Sequence, residues 1–223
     1  MKKFVVRVFA ALCMFPVGAI AQDTTFHEIG LNATPFVNQY LNLGAGTNFV
    51  ASPYMLTYEY RFGCMGGRFG IGATATKNTT NPVNDKPTEP ALHSTSNTMN
   101  LRLGVVLYKD LSKRWSLKYG VDGVFSQSAT KNWTVVSDLF GQEITSTTSN
   151  KNWRAGGAPF IFAQWHITDH FSLGTEVMAV VTVGNDVTKV TNTAFPEFDT
   201  SQKSSSVNFT IDPPTALFFI FRF

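Results

Sequence analysis

Cysteine is scarce in this chain, which holds only Cys13 and Cys64. Cys13 falls in an N-terminal segment expected to be removed, so the remaining thiol has no partner and no internal disulfide is expected, even in an oxidising compartment. Long apolar runs are also missing. The longest covers residues 8–20, short of the ~20 residues that a membrane-crossing helix requires. Charge of one sign is absent once the first 21 residues are set aside: losing Lys2, Lys3 and Arg7 leaves fifteen Lys and Arg against fifteen Asp and Glu. A balanced chain has no basic face for a nucleic-acid partner. The acidic residues Asp138, Glu143, Asp186, Glu197 and Asp199 match no calcium-loop spacing. His166 and His170 lack the further ligand that a zinc site needs.

The chain does contain, at its start, the basic Lys2, Lys3 and Arg7, the apolar stretch 8–20, and Ala19-Ile20-Ala21. That order is expected of a secretory signal peptide spanning 1–21 and cleaved before Gln22. A lipoprotein would place a cysteine at the cleavage point, where Gln22 stands. Residues 22–223 then form one domain, with no linker or low-complexity break inside it.

The mature chain alternates apolar and polar residues in eight runs, near 28–37, 54–62, 68–76, 99–108, 115–127, 153–167, 171–183 and 207–223. Period-2 alternation indicates strands. Short turns are expected at 63–67, 109–114 and 168–170, and long Ser/Thr/Asn-rich connections at 38–53, 77–98, 128–152 and 184–206. The last run closes on Thr-Ala-Leu-Phe-Phe-Ile-Phe-Arg-Phe, with Leu217, Phe219, Phe221 and Phe223 on one parity. Such a strand is too apolar for a solvent edge and needs a partner along it. Pro213-Pro214 interrupts this last run, and Pro35 and Pro159 lie in others, so bulges or broken ladders are expected there.

One phase per strand separates the side chains by chemistry. The outward phase holds residues such as Leu56, Tyr58, Phe69, Leu103, Val105, Ile161, Val177 and Phe209. The opposite phase holds every charge in the runs, including Glu28, Arg68, Arg154, Asp212 and Arg222. Glu59, Arg61, Arg102, Lys118, Asp122 and Glu176 are expected to form a charge network inside the sheet. If Leu107 faces Leu117, Arg102 faces Asp122. Phe62, Phe69, Trp115, Trp165, Phe171 and Phe223 are expected as an aromatic girdle at the end with the short turns. Trp133, Phe140, Phe195 and Phe198 are candidate contact residues in the loops. Residues 131–134 and 143–147, and likewise 187–190 and 204–207, read as strand continuations above the membrane, with Gly141 near a hairpin tip.

The signal segment, four long polar loops, three tight turns and terminal TALFFIFRF together resemble the small bacterial outer-membrane β-barrels of the outer-membrane protein A and X type, in their Bacteroidota versions. The resemblance implies an all-β fold, an eight-stranded antiparallel transmembrane barrel in the cell outer membrane, with short periplasmic turns and long extracellular loops. It implies outer-membrane lipid and the barrel-assembly machinery as partners, and no cofactor. His170, Ser172 and Glu176 are the residue types of barrel-type lipid A deacylases, but they start at an expected periplasmic turn, away from an outer-leaflet substrate. The expected function is therefore structural or surface-interacting, through loops with an unknown ligand, and not enzymatic. A narrow solute pore and a lipid-modifying enzyme are the alternatives.

Overall fold

The structure is a computed structural model of the chain and describes residues 25–34, 54–80, 91–137, 143–214 and 216–223. The expected signal peptide, Pro35, the connection 38–53, Phe140 and Gly141 lie outside the described residues. Among the described residues nine strands carry the fold: β1 (Thr25–Asn32), β2 (Leu56–Phe62), β3 (Met65–Thr80), β4 (Ala91–Asp110), β5 (Trp115–Ser137), β6 (Glu143–His166), β7 (Phe171–Asn192), β8 (Thr200–Asp212) and β9 (Leu217–Arg222). They form one antiparallel sheet in the order β6-β5-β4-β3-β2-β1-β9-β7-β8, and β6 pairs with β7 to close it into a ring. Among the described residues no helix is long and apolar enough to cross a membrane.

The count of nine corrects the expected eight. The run 207–223 is split at Pro213-Pro214, where two successive residues lack the N–H that a ladder needs. Its two parts lie end to end beside β7. β9 pairs with Phe171 to Thr175, and β8 with Met178 to Val190. Pro159 breaks the β6–β7 ladder without shifting it: pairing stops at Gly157↔Val181 and resumes in the same register at Phe160↔Met178.

A lateral walk through hydrogen-bonded partners shows how the ring closes. From Leu173 it passes Phe219, Leu31, Leu56, Ile71, Leu101, Phe125 and Ala155, and re-enters β7 at Val183. It crosses eight strand positions and returns ten residues from its start. With ~3.3 Å per residue and ~4.8 Å between strands, this displacement tilts the strands by about 40° to the ring axis. At this level no strand has a free edge.

Alternation sets the two faces. Val106, Tyr108, Val124, Phe160, Phe162, Met178, Phe218 and Ile220 are buried inside the ring, while their neighbours along each strand point outward. Two residues, Gly63 and Cys64, join β2 to β3, and the positive φ of 60° at Gly63 is the left-handed conformation that a tight turn requires.

Two expectations about connections need correction. The strand continuations expected at 131–134, 143–147, 187–190 and 204–207 are present within longer strands, and the described residues of 77–98, expected as a loop, are strand too: β4, β5, β6 and β7 run to 20, 23, 24 and 22 residues. Their polar composition suits paired backbone, because hydroxyls and amides form rungs across the strands. Ser94 donates to Asn132 Oδ1 at 2.7 Å, Ser96 and Thr130 hydroxyls lie 3.1 Å apart, and Thr98 donates to Ser128 at 3.4 Å. The β4–β5 register also differs from the expected one. Leu107 pairs with Tyr119, so Asp122 faces Gly104 and Arg102 faces Val124. Ser112 is the cause: its Oγ accepts from the N–H groups of Arg114 and Trp115 at 3.3 and 3.1 Å, which tightens the turn and starts β5 at Trp115.

Candidate functional site

Burial of charge is concentrated inside the lower part of the ring. Glu28, Glu59, Arg68, Arg102, Lys118, Asp122 and Glu176 are all buried, and Asp122 is 0% exposed. An ionised group removed from water has to be paired and hydrogen-bonded. Here the pairs run across the lumen. Arg68 Nε donates to Asp122 Oδ1 and Oδ2 at 2.8 and 3.0 Å, and its Nη2 makes a short contact with the same carboxylate. The Nη1 of Arg68 donates to Glu176 Oε2 at 2.6 Å, while Arg102 Nη1 donates to Glu176 Oε1 at 2.6 Å. Glu176 is thus shared by two guanidinium groups, in the charge-assisted geometry that suits arginine.

A second cluster lies toward the turns. Lys118 Nζ contacts Glu28 and donates to Glu59 Oε2 at 2.5 Å. The other oxygen of Glu28 accepts from Arg222 Nε and Nη2 at 3.0 and 2.8 Å. Tyr108 donates its hydroxyl to Glu59 at 3.2 Å. Four cations, Arg68, Arg102, Lys118 and Arg222, therefore meet four carboxylates, Glu28, Glu59, Asp122 and Glu176. The assembly is electrically neutral. Aromatic rings complete it: Arg68 lies 3.2 Å from the centroid of Phe160 and Arg102 4.4 Å from that of Tyr54.

Room for these side chains comes from inward-facing glycines. A Cβ on Gly104 would stand 2.1 Å from Asp122 Oδ1, and one on Gly70 would stand 2.5 Å from Arg102 Nε. Both positions face the lumen where a long charged group crosses it.

The ring brings together Glu59, Arg102, Lys118, Asp122 and Glu176 from the expected network, but it changes the pairing. Asp122 and Arg102 are 3.8 Å apart at Nη1 and Oδ2, and the close partner of Asp122 is Arg68. Arg61 does not join. It donates to Gly63 O at 2.7 Å and pairs with the exposed Asp110 at 3.3 Å beside the turns. Arg68, Glu28 and Arg222 were legible only as inward-facing charges. Their membership depends on which walls face each other.

The expected aromatic positions are distributed unevenly. Trp115 and Trp165 are cross-strand partners with ring centroids 6.3 Å apart. Phe171 packs on Phe219 and Phe221, and Phe223 stacks on His27 at 5.6 Å. Phe62 meets Tyr60 at 6.1 Å. Phe69 is not at the turns: it pairs with Tyr58 and Leu103 further along the wall. Trp133 lies within β5, half-buried and stacked on His93 at 5.1 Å, whereas Phe195 and Phe198 are exposed and pack edge to face at 6.1 Å beside the turn Pro196–Phe198.

The hydrolase-type residues are not assembled with one another. Ser172 Oγ lies 2.8 Å from His166 Nδ1, whose other ring nitrogen is 3.1 Å from Ser116 Oγ. His170 instead approaches the backbone oxygen of Arg222 at 3.1 Å, and Glu176 is held by two arginines. Among the described residues, no group of three or more His, Cys, Asp and Glu is placed to hold a metal ion. Comparison with protein-family models, with curated proteins and with solved structures found no match to this chain.

Proposed function

We propose that the chain is a β-barrel of the bacterial outer membrane, of the outer-membrane protein A and X type, that serves a structural or surface-interaction role through its long hairpins. One observation carries this reading: the ring is inverted relative to a soluble protein. Leu103, Val105, Ile161, Phe209 and Ile211 are 69, 60, 54, 66 and 60% exposed on the outside, while ion pairs fill the inside. A continuous apolar outer wall is stable in hydrocarbon and costly in water. The strands of 20–24 residues exceed the ~9–11 that a tilted membrane strand uses, which leaves their polar halves to project as hairpins.

The filled lumen favours this role over that of a pore. An eight-position ring is just wide enough for side chains to fill it, and here buried charges paired across its diameter do so. No catalytic activity is proposed, because Glu176 is committed to two arginines and Ser172 to His166. The lipid of the outer membrane and the barrel-assembly machinery are the partners this reading requires, with a ligand at the hairpins still to be identified.

Two measurements test it. The mature chain should fractionate with the outer membrane, and in planar bilayers the purified protein should show no steady conductance. Recovery in the soluble periplasm would overturn the barrel reading. Stable conductance steps would transfer the function to a small-solute pore.

A further inference from the structure

Beyond the apolar wall, the outward face of the sheet carries lysines in a lattice that only the strand register reveals. One lateral row reads Lys77, Thr95, Lys131, Ser149, Lys189 and Ser201 across β3 to β8. Lysine therefore alternates with a hydroxyl residue on successive strands. The next row toward the ring carries Lys151 and Lys203 on β6 and β8, the two strands that lack a lysine in the first row's second half. All five lysines are exposed. The described ion pairs include none of them. Neither row contains an Asp or a Glu, and the acid in the adjoining register row, Asp186, faces the other side of the sheet, where it pairs with Arg154 at 3.7 Å.

Position narrows the partner. The rows lie on the same face as the apolar wall, beyond the register row of Phe125, Val183 and Val207 that ends it, and with strands tilted by about 40° they climb obliquely around the ring, by about 12 Å from Lys77 to Lys189. Trp153 stands in the row below them and Trp133 in the row above, with Lys131 Nζ 5.6 Å from the Trp133 ring. Tryptophans mark the level of lipid headgroups. Lysines on alternate strands are about 10 Å apart along the row, twice the ~4.8 Å strand spacing. A phosphate fits between two ammonium groups, with Thr95 or Ser149 supplying an O–H donor from the strand between them. A soluble polyanion would be met more readily at the hairpin tips, where Glu197 and Asp199 instead place negative charge.

We infer that these two rows form a collar that binds the phosphate groups of anionic lipids in the leaflet around the hairpin end of the ring. The inference rests on the membrane-spanning reading above. Its test uses the full mature chain, folded into phosphatidylcholine vesicles that hold a minor fraction of spin-labelled phosphatidic acid or of diphosphorylated lipid A. Wild-type protein should enrich the phosphorylated lipid over phosphatidylcholine by about fivefold or more, the effect of roughly one well-placed lysine, and salt should weaken the preference. Replacing Lys77, Lys131, Lys151, Lys189 and Lys203 together by Gln should bring the ratio close to one. Replacing the exposed Lys109 and Lys113 at the opposite end should leave it unchanged.

A wild-type protein that inserts without any lipid preference, or a variant without the five lysines that keeps the preference, overturns the collar alone. Equal loss in the Lys109 and Lys113 control overturns it as well, since net charge would then suffice. Binding of heparin by the wild type that the lysine variant loses, without enrichment of the phosphorylated lipid in vesicles, would assign the rows to a soluble anion and overturn the lipid. Failure of the wild type to insert into any vesicle would overturn the barrel reading and the collar together.

Discussion

Arg68 on β3 and Glu176 on β7 face each other across the full width of the ring, four strand positions apart in either direction, and are joined Nη1 to Oε2 at 2.6 Å. Lys118 on β5 and Glu28 on β1 are likewise four positions apart and make the second crossing contact. The two links run along different diameters of the ring. Opposite walls are thereby tied by groups that would be expensive to leave unpaired, so the filling of the lumen and the stability of the sheet are one property.

Removing Arg68 should be among the most damaging single changes inside the ring. Arg68→Met leaves Asp122 with Arg102 at 3.8 Å and takes one of two guanidinium partners from Glu176. Loss of one member of a buried pair costs about 3–5 kcal/mol. Urea unfolding of the micelle-folded protein, followed by tryptophan fluorescence, should show this loss. In double-mutant cycles the Arg68–Asp122 coupling should exceed the Arg102–Asp122 coupling. Equal couplings would mean that the register-derived pairing is wrong.

Glycine at position 104 should matter more than glycine at position 123. A methyl on Gly104 meets Asp122 Oδ1 at 2.1 Å and the Val121 carbonyl oxygen at 2.5 Å, whereas at Gly123 the nearest atom is 3.5 Å away. Gly104→Ala should cost about 1–3 kcal/mol through overpacking, and Gly123→Ala close to nothing. Indistinguishable unfolding midpoints would show that the lumen side chains shift freely.

Cys64 provides a probe of orientation, because it is a free thiol in the two-residue turn between β2 and β3. In the proposed membrane an impermeant maleimide should leave it unlabelled on intact cells and label it once the outer membrane is breached. Rapid labelling of intact cells would invert the orientation.

The hairpins should be separable from the ring. Replacing residues 128–152 by a short Asn-Gly turn removes the projecting parts of β5 and β6 but retains the network residues Lys118, Asp122 and the filling ring of Phe160. The variant should fold, as judged by heat-modifiable gel mobility, and should lose attachment to its surface ligand. If this variant and one lacking 184–206 keep all surface binding and lose solute uptake instead, the pore reading replaces the one proposed.

Much of this was legible in the chain without coordinates, because strand alternation is a local property. Successive side chains must point to opposite faces, so Leu103 and Val105 were assignable to one side and Arg102 to the other before any partner strand was known. Turn sites follow from residues such as Gly63, and the disruption at Pro213-Pro214 from their missing N–H groups, whereas the split of that run into β8 and β9 belongs to the folded sheet. What remained illegible were relations between strands. The pairing of Arg68 with Asp122 depends on a two-residue register difference that Ser112 imposes at one turn. The link from Arg68 to Glu176, and the lysine rows on the outside, depend on eight strand positions closing with a ten-residue displacement. Parity propagates along a strand, whereas which residues meet across the lumen or line up around the wall is decided by every register in the ring at once, and no single stretch of sequence carries that sum.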